Sequence, residues 1–335
     1  MNILLIQLKR IGDLILTTPA IAALHEKLPT AKISLAVSPA CAELLPAISS
    51  VDAKLVANKI SDWLEITRSH FDYCVDFTRN DRSSLLTRLS GAKTRIASER
   101  RKQRSTFRSR AYNTFITAPV RQLHTIDYHL KLLEPLGIQN KPPAIELHLP
   151  EQARAKASEL RAAHKIDNRF IVFHPGSARA EKFWEAQRWA EVIEHAREKY
   201  DVDLVLSGGR SSTEQNHLSE IKSRLQRALV DVSSQTDLLT LAALIAEARL
   251  LVTVDSAPMH FAATARVPQI ALFGPTNPFH WRPRDTAAVI LRGASTRPLT
   301  EFSPDQPSVP MKQISTQAVI DAMNALLSSP AAPGS

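Results

Sequence analysis

Four turns that follow apolar, strand-like runs carry residue types that can hold phosphate, contact sugar hydroxyls or move a proton. They are KRIGD at residues 9–13, HPGSARAEK at 174–182, SGG at 207–209 and DSAPMH at 255–260. In an open α/β sheet, ligands bind beyond the carboxyl ends of the strands. These turns are therefore where the sequence predicts a site.

The segment 174–182 has the composition of a diphosphate-binding turn, opening at His174. Gly176 allows backbone N–H groups to approach phosphate, the Ser177 hydroxyl adds a donor, and Lys182 supplies a positive charge. It is not a P-loop, because GxxxxGK[ST] is absent from the sequence. From the residues alone, an ordinary strand-to-helix turn with a surface lysine remains the alternative.

The turn KRIGD places Asp13 at the mouth of a predicted helix, where Gly12 permits a tight backbone. Such an aspartate can accept a proton from a bound substrate. It can equally be an N-cap that satisfies the first amides of the helix. Both interpretations stay open at this point.

The remaining two turns suggest contacts to a sugar nucleotide. Gly208 suits close approach of a ligand, and Glu214 can accept from ribose hydroxyls. Asp255, Ser256 and His260 resemble sugar and phosphate contacts more than a catalytic triad, because no GxSxG precedes them. A flexible turn and a capped helix with a chance histidine are the alternatives.

A metal site is not expected. Asp201 and Asp203 have DxD spacing, but they open a strand instead of following one, so we interpret them as strand-edge residues. HExxH and EF-hand patterns are absent. Cys41 and Cys74 have no CxxC partner and are predicted to be packing residues.

The elements that must position these turns alternate between strand and helix patterns. NILLIQL, KISLAV, AKLVA and DYCVDF are strand-like, and FIVFH, VDLVL, LLVTV and PQIALF repeat the signal later in the chain. Buried strands alternating with helices predict an α/β fold with two doubly wound, Rossmann-like parallel sheets. Prolines in QNKPPAIELHLPEQ interrupt the pattern and predict a domain boundary near Pro150.

The predicted domains are therefore 1–150 and 151–314. A C-terminal helix at 315–328, which could pack back on the first domain, and a frayed tail at 329–335 follow them. The apolar start is too short and too soon followed by Lys9 and Arg10 to be a secretory signal or a membrane span, so a cytoplasmic protein is expected.

The chain has 335 residues and a net charge of +9, and much of the excess lies in residues 93–110, where eight Lys and Arg stand against Glu99 alone. Such a segment can attract a polyanion or can be a solvated loop. No RRM, KH or helix-turn-helix signature accompanies it, so nucleic acid is not expected as a partner.

Taken together, these blocks and ALFGPTNP resemble glycosyltransferase family 9, the heptosyltransferases of the lipopolysaccharide core. The resemblance runs from Asn2 to about Pro283 and is strongest in the second half. It implies a GT-B fold, with two Rossmann-like domains facing a central cleft. It also implies an inverting, metal-independent transfer of a heptose from an ADP-sugar to a phosphorylated lipopolysaccharide acceptor, with no cofactor.

The resemblance assigns roles to individual residues. Asp13 matches the proposed base, and Ser177 and Lys182 match the phosphate-binding hydroxyl and lysine, with Lys182 counted as catalytic. The remaining donor-binding positions are His174, Gly176, Gly208, Glu214, Thr236, Asp255, Ser256, Ala257 and His260. The first domain would bind the acceptor through Arg10, Arg100, Arg101 and Arg104, beside the anionic inner leaflet of a Gram-negative inner membrane, where the protein would be peripheral.

Two departures bear on the donor. The family usually has glycine where Ala257 stands, and another glycine where this chain has Ser233 or Ser234. An added side chain there can narrow the site, so the sugar and base stay open. A non-hydrolysing sugar-nucleotide epimerase, which shares the two-sheet architecture, is the alternative function.

Overall fold

The computed structural model describes residues 1–58, 60–99, 106–139, 142–167 and 169–328. It divides into two compact units, Met1–His148 and Leu149–Ser335, so the division lies two residues before the predicted boundary at Pro150. The predicted tail at 329–335 lies outside the described residues.

The first unit is built on a sheet of six parallel strands in the order β3-β2-β1-β4-β5-β6. Its strands are β1 (Asn2–Gln7), β2 (Lys32–Val37), β3 (Ala53–Val56), β4 (Tyr73–Asp76), β5 (Thr94–Ser98) and β6 (Thr114–Ile116). Its helices are α1 (Ile11–Ile15), α2 (Thr18–Lys27), α3 (Ile60–Arg68), α4 (Asp81–Leu89), α5 (Thr106–Ser109) and α6 (Thr125–Lys131), with 3₁₀ turns at Pro39–Ala47 and Glu134–Leu136. Strand β1 is central, which explains its unbroken apolar run.

The second unit repeats this architecture with the order β12-β11-β10-β7-β8-β9. Its strands are β7 (Phe170–His174), β8 (Asp203–Leu206), β9 (Val230–Asp231), β10 (Leu250–Val254), β11 (Gln269–Phe273) and β12 (Ala288–Arg292). Its helices are α7 (Glu151–His164), α8 (Ala186–Lys199), α9 (Ser212–Ser223), α10 (Leu238–Ala246), α11 (Ala257–Thr264), α12 (Pro278–Trp281) and α13 (Thr316–Ser328), with 3₁₀ turns at Ala180–Lys182 and Met311–Gln313. Counted within each unit, the two sheets have the same strand order.

Helix α13 packs within the second unit. Val319 and Met323 belong to the same buried cluster as Trp184. The Trp184 indole N–H donates to the carbonyl of Ile314, 3.0 Å away, just before the helix. The apolar face of α13, which the sequence prediction allowed to pack on the first domain, is therefore buried within the second unit.

Both cysteines are buried free thiols, as expected of packing residues. Burial raises the pKa of the Cys74 thiol to about 12. A thiol held protonated in this way is unreactive as a nucleophile.

A buried network of polar side chains supports α1. The Gln7 side-chain amide donates to the Thr17 hydroxyl (3.0 Å), which donates to the Asp13 carbonyl (2.8 Å). His129 Nδ1 lies 3.2 Å from both Thr17 Oγ1 and the Leu16 carbonyl oxygen, and its Nε2 lies 3.5 Å from the Gln7 amide nitrogen. Because a carbonyl only accepts, Nδ1 carries the proton and Nε2 faces Gln7 as an acceptor. The network therefore requires a neutral imidazole.

This requirement makes stability depend on pH. Burial, assisted by the positive charge of Lys9, lowers the pKa of His129 from 6.5 to about 3. Between pH 6.5 and about 3, the unfolded chain binds a proton at His129 that the folded chain does not bind. The stabilisation contributed by the neutral His129 is therefore complete above pH 6.5 and is lost as the pH falls towards about 3. The slope can reach about 1.4 kcal/mol per pH unit.

We expect His129→Gln to flatten this dependence in urea unfolding titrations, because the group that titrates is gone. The exposed His70 in the same unit offers a matched control, and His70→Gln should keep the wild-type slope. An unchanged slope in His129→Gln would show that His129 is not the group responsible.

Candidate functional site

The two central strands of each sheet define the place where a ligand can bind. In the first unit β1 neighbours β4, and in the second β7 neighbours β10. The chain leaves these two strands towards opposite edges of the sheet, which opens a crevice at their carboxyl ends. Three of the four sequence-predicted turns lie there: KRIGD after β1, HPGS after β7 and DS after β10. The fourth, SGG, follows β8, the neighbour of β7.

Lys182 and Asp255 form a buried ion pair in the second unit. Lys182 Nζ donates to Asp255 Oδ2 at 2.6 Å and to the Asp255 carbonyl at 3.0 Å, and the two side chains are 10% and 9% exposed. The Thr276 hydroxyl, from the loop after β11, also donates to Asp255 Oδ2. Since an ammonium group has three N–H donors, one remains to meet a phosphate oxygen.

Three glycines converge on the buried carboxylate of Glu214. Its Oε1 accepts from the Gly209 amide at 2.8 Å. A Cβ at Gly176 would lie 1.6 Å from the same oxygen, and one at Gly209 would lie 2.6 Å from Oε2. A Cβ at Gly208 would lie 2.4 Å from Leu218. A side chain added at any of the three would force Glu214 or Leu218 to move, because Glu214 lies directly against Gly176 and Gly209.

His174, the last residue of β7, is neutral in this site. Burial alone lowers its pKa to about 4. Its Nδ1 lies 2.9 Å from the Ser207 hydroxyl, which donates to the Phe173 carbonyl. Its Nε2 lies 3.9 Å from Glu214 Oε1. Above about pH 4 the His174 ring therefore faces the Glu214 carboxyl group as a neutral imidazole.

The other predicted donor-binding residues surround this centre. Ser177 is half-buried, and its hydroxyl accepts from the Arg179 amide at 3.3 Å. Ser256 is the N-cap residue of α11, which begins at the half-buried Ala257 and contains the buried His260.

Thr236 lies further along the chain, in the loop between β9 and α10, where it is half-buried. That loop touches the SGG turn through Ser234, whose amide donates to the Gly208 carbonyl at 2.9 Å. The structure thus brings the predicted turns of the second unit together, with Thr236 at their margin.

Asp13 in the first unit is not a helix cap. The N-cap of α1 is the exposed Arg10, whose side chain makes no capping bond, and Asp13 lies inside the first turn. The capping interpretation of Asp13 is therefore wrong. Its Oδ1 lies 3.5 Å from Lys9 Nζ, and the side chains are 16% and 29% exposed. Burial is the main cause that lowers the pKa of Lys9, with Asp13 acting in the opposite direction.

Arg79 and Asp76 belong to the same end of the sheet and were missed by the sequence reasoning. Asp76 ends β4 fully buried, and its Oδ1 accepts from the amides of Thr78 (2.8 Å) and Arg79 (3.1 Å). Arg79 lies over the Tyr128 ring at 4.7 Å and influences the pKa of Lys9. The signal was available, because TRND follows the strand-like DYCVDF as KRIGD follows NILLIQL.

The basic segment is only partly described. Arg100, Arg101 and Arg104 lie outside the described residues. At its ends, Lys93 pairs with Asp72 at 2.9 Å, and Arg108 pairs with Asp81.

Asp203 begins β8, at the opposite end from the site, and the neighbouring Asp201 pairs with Arg169 at 3.0 Å, as expected of strand-edge residues.

The described residues contain neither a candidate metal cluster nor a candidate membrane span. No group of three or more His, Cys, Asp or Glu side chains in that part of the chain could hold a metal ion. Within the same ranges, none of the helices combines the length and apolar character that a membrane span needs.

Comparison with known proteins shows the family of the chain. Residues 62–309 match the profile of glycosyltransferase family 9, described as heptosyltransferase. A relative from Escherichia coli, lipopolysaccharide heptosyltransferase 3, is 25% identical over 334 residues, which cover 95% of this chain and 97% of the relative.

Solved structures show the same fold. A family 9 glycosyl transferase from Veillonella parvula has a TM-score of 0.84 at 24% identity, covering 98% of this chain and 97% of its own. The E. coli ADP-heptose lipopolysaccharide heptosyltransferase II has a TM-score of 0.78 at 21% identity, covering 98% of each chain. The predicted GT-B fold class is confirmed.

The alternative class is more distant. A UDP-GlcNAc 2-epimerase from Methanocaldococcus jannaschii has a TM-score of 0.52 at 14% identity, covering 98% of this chain and 93% of its own. The epimerase alternative is therefore not favoured. Since the family profile matches well over half of the sequence, the chain belongs to glycosyltransferase family 9 and is a glycosyltransferase.

Proposed function

We propose that this enzyme transfers a heptose, or a closely related sugar, from an ADP-sugar to a phosphorylated lipopolysaccharide inner-core acceptor. The reaction inverts the anomeric centre and uses neither a metal ion nor a cofactor. The observation that carries the proposal is the buried Lys182 ammonium, held by Asp255 beside the Gly176 turn at the centre of the second sheet. The solved E. coli relative of this fold is an ADP-heptose enzyme.

The second unit binds the donor in this proposal. The third N–H of Lys182, the Ser177 hydroxyl and backbone amides near Gly176 hold the diphosphate. Glu214 and Thr236 contact ribose and adenine, and Gly208 leaves room for them. His174, Asp255, Ser256, Ala257 and His260 complete the donor site. The arrangement suits a diphosphate because fixed donors and a partly desolvated cation need no reorganisation when negative charge develops.

The first unit supplies the base. Asp13 Oδ1 removes the proton from the acceptor hydroxyl as that oxygen attacks the anomeric carbon from the face opposite the diphosphate. The bond to the diphosphate breaks in the same displacement, so no covalent enzyme intermediate forms. Lys182 stabilises the charge on the departing diphosphate, which is the role that a metal ion would otherwise take.

The acceptor and the membrane complete the proposal. Arg10, with Arg100, Arg101 and Arg104, meets acceptor phosphates, since guanidinium groups bind phosphate oxygens in a bidentate manner. The enzyme is peripheral at the inner face of the inner membrane of a Gram-negative bacterium, where anionic lipids attract basic segments.

A ligand-stabilisation screen with ADP-, UDP- and GDP-sugars tests the donor. We expect ADP-sugars to stabilise the protein by about 2.7 kcal/mol when present at about 100 times their Kd. A clear preference for UDP-sugars would overturn the heptose assignment. Incubating the donor without acceptor separates the two enzyme classes, because an epimerase alters the sugar and a transferase leaves it intact.

Lys182→Met tests the diphosphate contact. It leaves the Asp255 carboxylate buried without its cation, which should lower the free energy of unfolding by about 3–5 kcal/mol and weaken ADP binding. Adding Asp255→Asn removes the stranded charge, so stability should partly return while ADP affinity stays low. The measurements are urea unfolding and calorimetric titration with ADP.

Lys156 provides the matched control. It pairs with Asp237 at 3.2 Å in the same unit, but both side chains are exposed. Lys156→Met should therefore cost at most about 1 kcal/mol and leave ADP binding unchanged. Wild-type ADP affinity in Lys182→Met would remove Lys182 from the donor site.

Asp13→Asn tests the base. The amide keeps the size of the side chain but cannot take a proton, so kcat should fall by roughly 10²–10⁴-fold. ADP affinity should stay the same, because Asp13 lies in the other unit. Glu26→Gln, an equivalent change at an exposed site of the first unit, should leave kcat unchanged. Near-normal turnover in Asp13→Asn would exclude Asp13 as the base.

A further inference from the structure

The loop at residues 232–237, between β9 and α10, is fastened to the SGG turn through Ser234. The Ser234 amide donates to the Gly208 carbonyl at 2.9 Å, and its hydroxyl donates to the Gly209 carbonyl at 3.2 Å. The Ser234 carbonyl accepts from Arg210 Nε at 3.3 Å. Three polar groups of one loop residue are therefore bonded to three consecutive residues beyond the carboxyl end of β8.

Gln215, from the first turn of α9, closes the same contact. Its side-chain amide donates one N–H to the Gly209 carbonyl and the other to the Ser234 hydroxyl, which is 3.0 Å away. Both N–H groups of the Gln215 amide are therefore used, and the Ser234 hydroxyl both donates and accepts. We call these two side chains the Ser234–Gln215 clamp.

The clamp also fixes the loop relative to Glu214. The Gly209 carbonyl accepts from both clamp side chains, while the Gly209 amide donates to Glu214 Oε1 at 2.8 Å. One glycine thus connects the loop to the buried carboxylate that lies against the Gly176 turn. The position of the loop and the position of Glu214 depend on the same short segment.

Thr236 is the residue that this fastened loop presents. On one side of it, the Gln235 side-chain amide donates to the Asp231 carbonyl at 2.7 Å. On the other side, Asp237 accepts from the Thr240 amide at 2.7 Å and caps α10. The half-buried Thr236 itself makes no hydrogen bond to any part of the chain that the structure describes. Its hydroxyl is therefore held in place by its neighbours and is available to a ligand.

We propose that Ser234 and Gln215 are positioning residues for the nucleobase end of the donor site. They hold Thr236 in a fixed place relative to Glu214, so that the base and ribose of a nucleoside diphosphate meet a preformed surface. A preformed loop binds more tightly because it need not be ordered when the ligand arrives. A hydrogen-bonding group held in place also rejects bases whose edges do not match it.

This role rests on the proposed function, in which Glu214 and Thr236 contact ribose and adenine. It deepens that function by assigning the selection of the base to two side chains that need not touch the ligand. The diphosphate is held elsewhere, by Lys182 and the Gly176 turn, so the clamp should act on one end of the donor only.

Calorimetric titration with ADP and with pyrophosphate tests the proposal. Ser234→Gly and Gln215→Met should each weaken ADP binding by about tenfold, because the loop must then be ordered on binding. Pyrophosphate affinity should stay at the wild-type value, since pyrophosphate has neither base nor ribose. The preference for ADP over UDP should shrink as well. Equal losses of ADP and pyrophosphate affinity would overturn the proposal, because they would indicate general damage to the site.

Hydrogen exchange separates positioning from direct contact. Without ligand, the amides of residues 234–236 should exchange faster in both variants than in the wild type, and added ADP should slow them. A loss of ADP affinity with unchanged exchange would overturn the proposal, because it would make Ser234 a ligand contact instead. The double variant Ser234→Gly/Gln215→Met should bind ADP about as weakly as either single variant, since both changes open the same clamp. Additive losses would contradict this.

Two residues of the second unit provide matched controls. The exposed Ser295 donates through its hydroxyl to the Arg297 carbonyl at 2.9 Å, and the exposed Gln317 donates to Asp321 at 2.8 Å. Ser295→Gly and Gln317→Met make the same chemical changes away from the loop, so both should keep wild-type ADP affinity and wild-type exchange at residues 234–236.

The choice of nucleotide separates this role from the proposed function. If the wild-type protein prefers UDP or GDP, the ADP-sugar assignment fails. The same comparison of wild type and variants, made with the preferred nucleotide and with pyrophosphate, then still decides whether Ser234 and Gln215 position the loop.

Discussion

The buried Lys182–Asp255 pair is the interaction on which the second unit's site depends. Removing both charges from water costs several kcal/mol per ion, and well-packed apolar residues would stabilise the protein at least as well. The pair therefore contributes position more than stability. It joins the 3₁₀ turn Ala180–Lys182 to the end of β10, the neighbour of β7, which the Gly176 turn follows.

The corresponding place in the first unit also holds a lysine and an aspartate, but they form a looser pair. Lys9 and Asp13 also follow the central strand, but they are 3.5 Å apart and more exposed than Lys182 and Asp255. The Asp255 carboxylate is engaged by a buried lysine and a hydroxyl. The looser Asp13 can meet a substrate hydroxyl. In the proposed mechanism, two sheets of identical strand order therefore hold the cation in one unit and the base in the other.

The sequence located the candidate turns better than it showed which of them meet. Apolar runs identified β1, β7, β8 and β10 closely, because central parallel strands are buried on both faces. Strand order is a tertiary property, however, so nothing in the local pattern showed that β4 lies beside β1. Asp76 and Arg79 were missed for that reason, and Thr276 was missed because its loop meets Asp255 only in the folded sheet.

Two other outcomes have similar causes. Gly176 was predicted to admit phosphate, yet its immediate constraint is the Glu214 carboxylate, which comes from a helix 38 residues later in the chain. An aspartate that caps a helix and an aspartate in its first turn lie only a few residues apart along the chain. The first residue of a helix is the least certain feature of a sequence pattern. Asp13 was therefore left with two interpretations that only the backbone of α1 could separate.

The family resemblance led us to expect a glycine at position 233 or 234, and the backbone of Ser234 has a conformation that favours glycine. Its φ of +62° lies in the left-handed region, which costs a non-glycine residue roughly 1 kcal/mol. The serine offsets this with its side chain, which donates to the Gly209 carbonyl at 3.2 Å and accepts from Gln215 at 3.0 Å. A glycine here would leave the loop before Thr236 free of that attachment. The departure at this position therefore restrains the loop against the Gly208 turn, and Ala257 alone adds bulk at the start of α11.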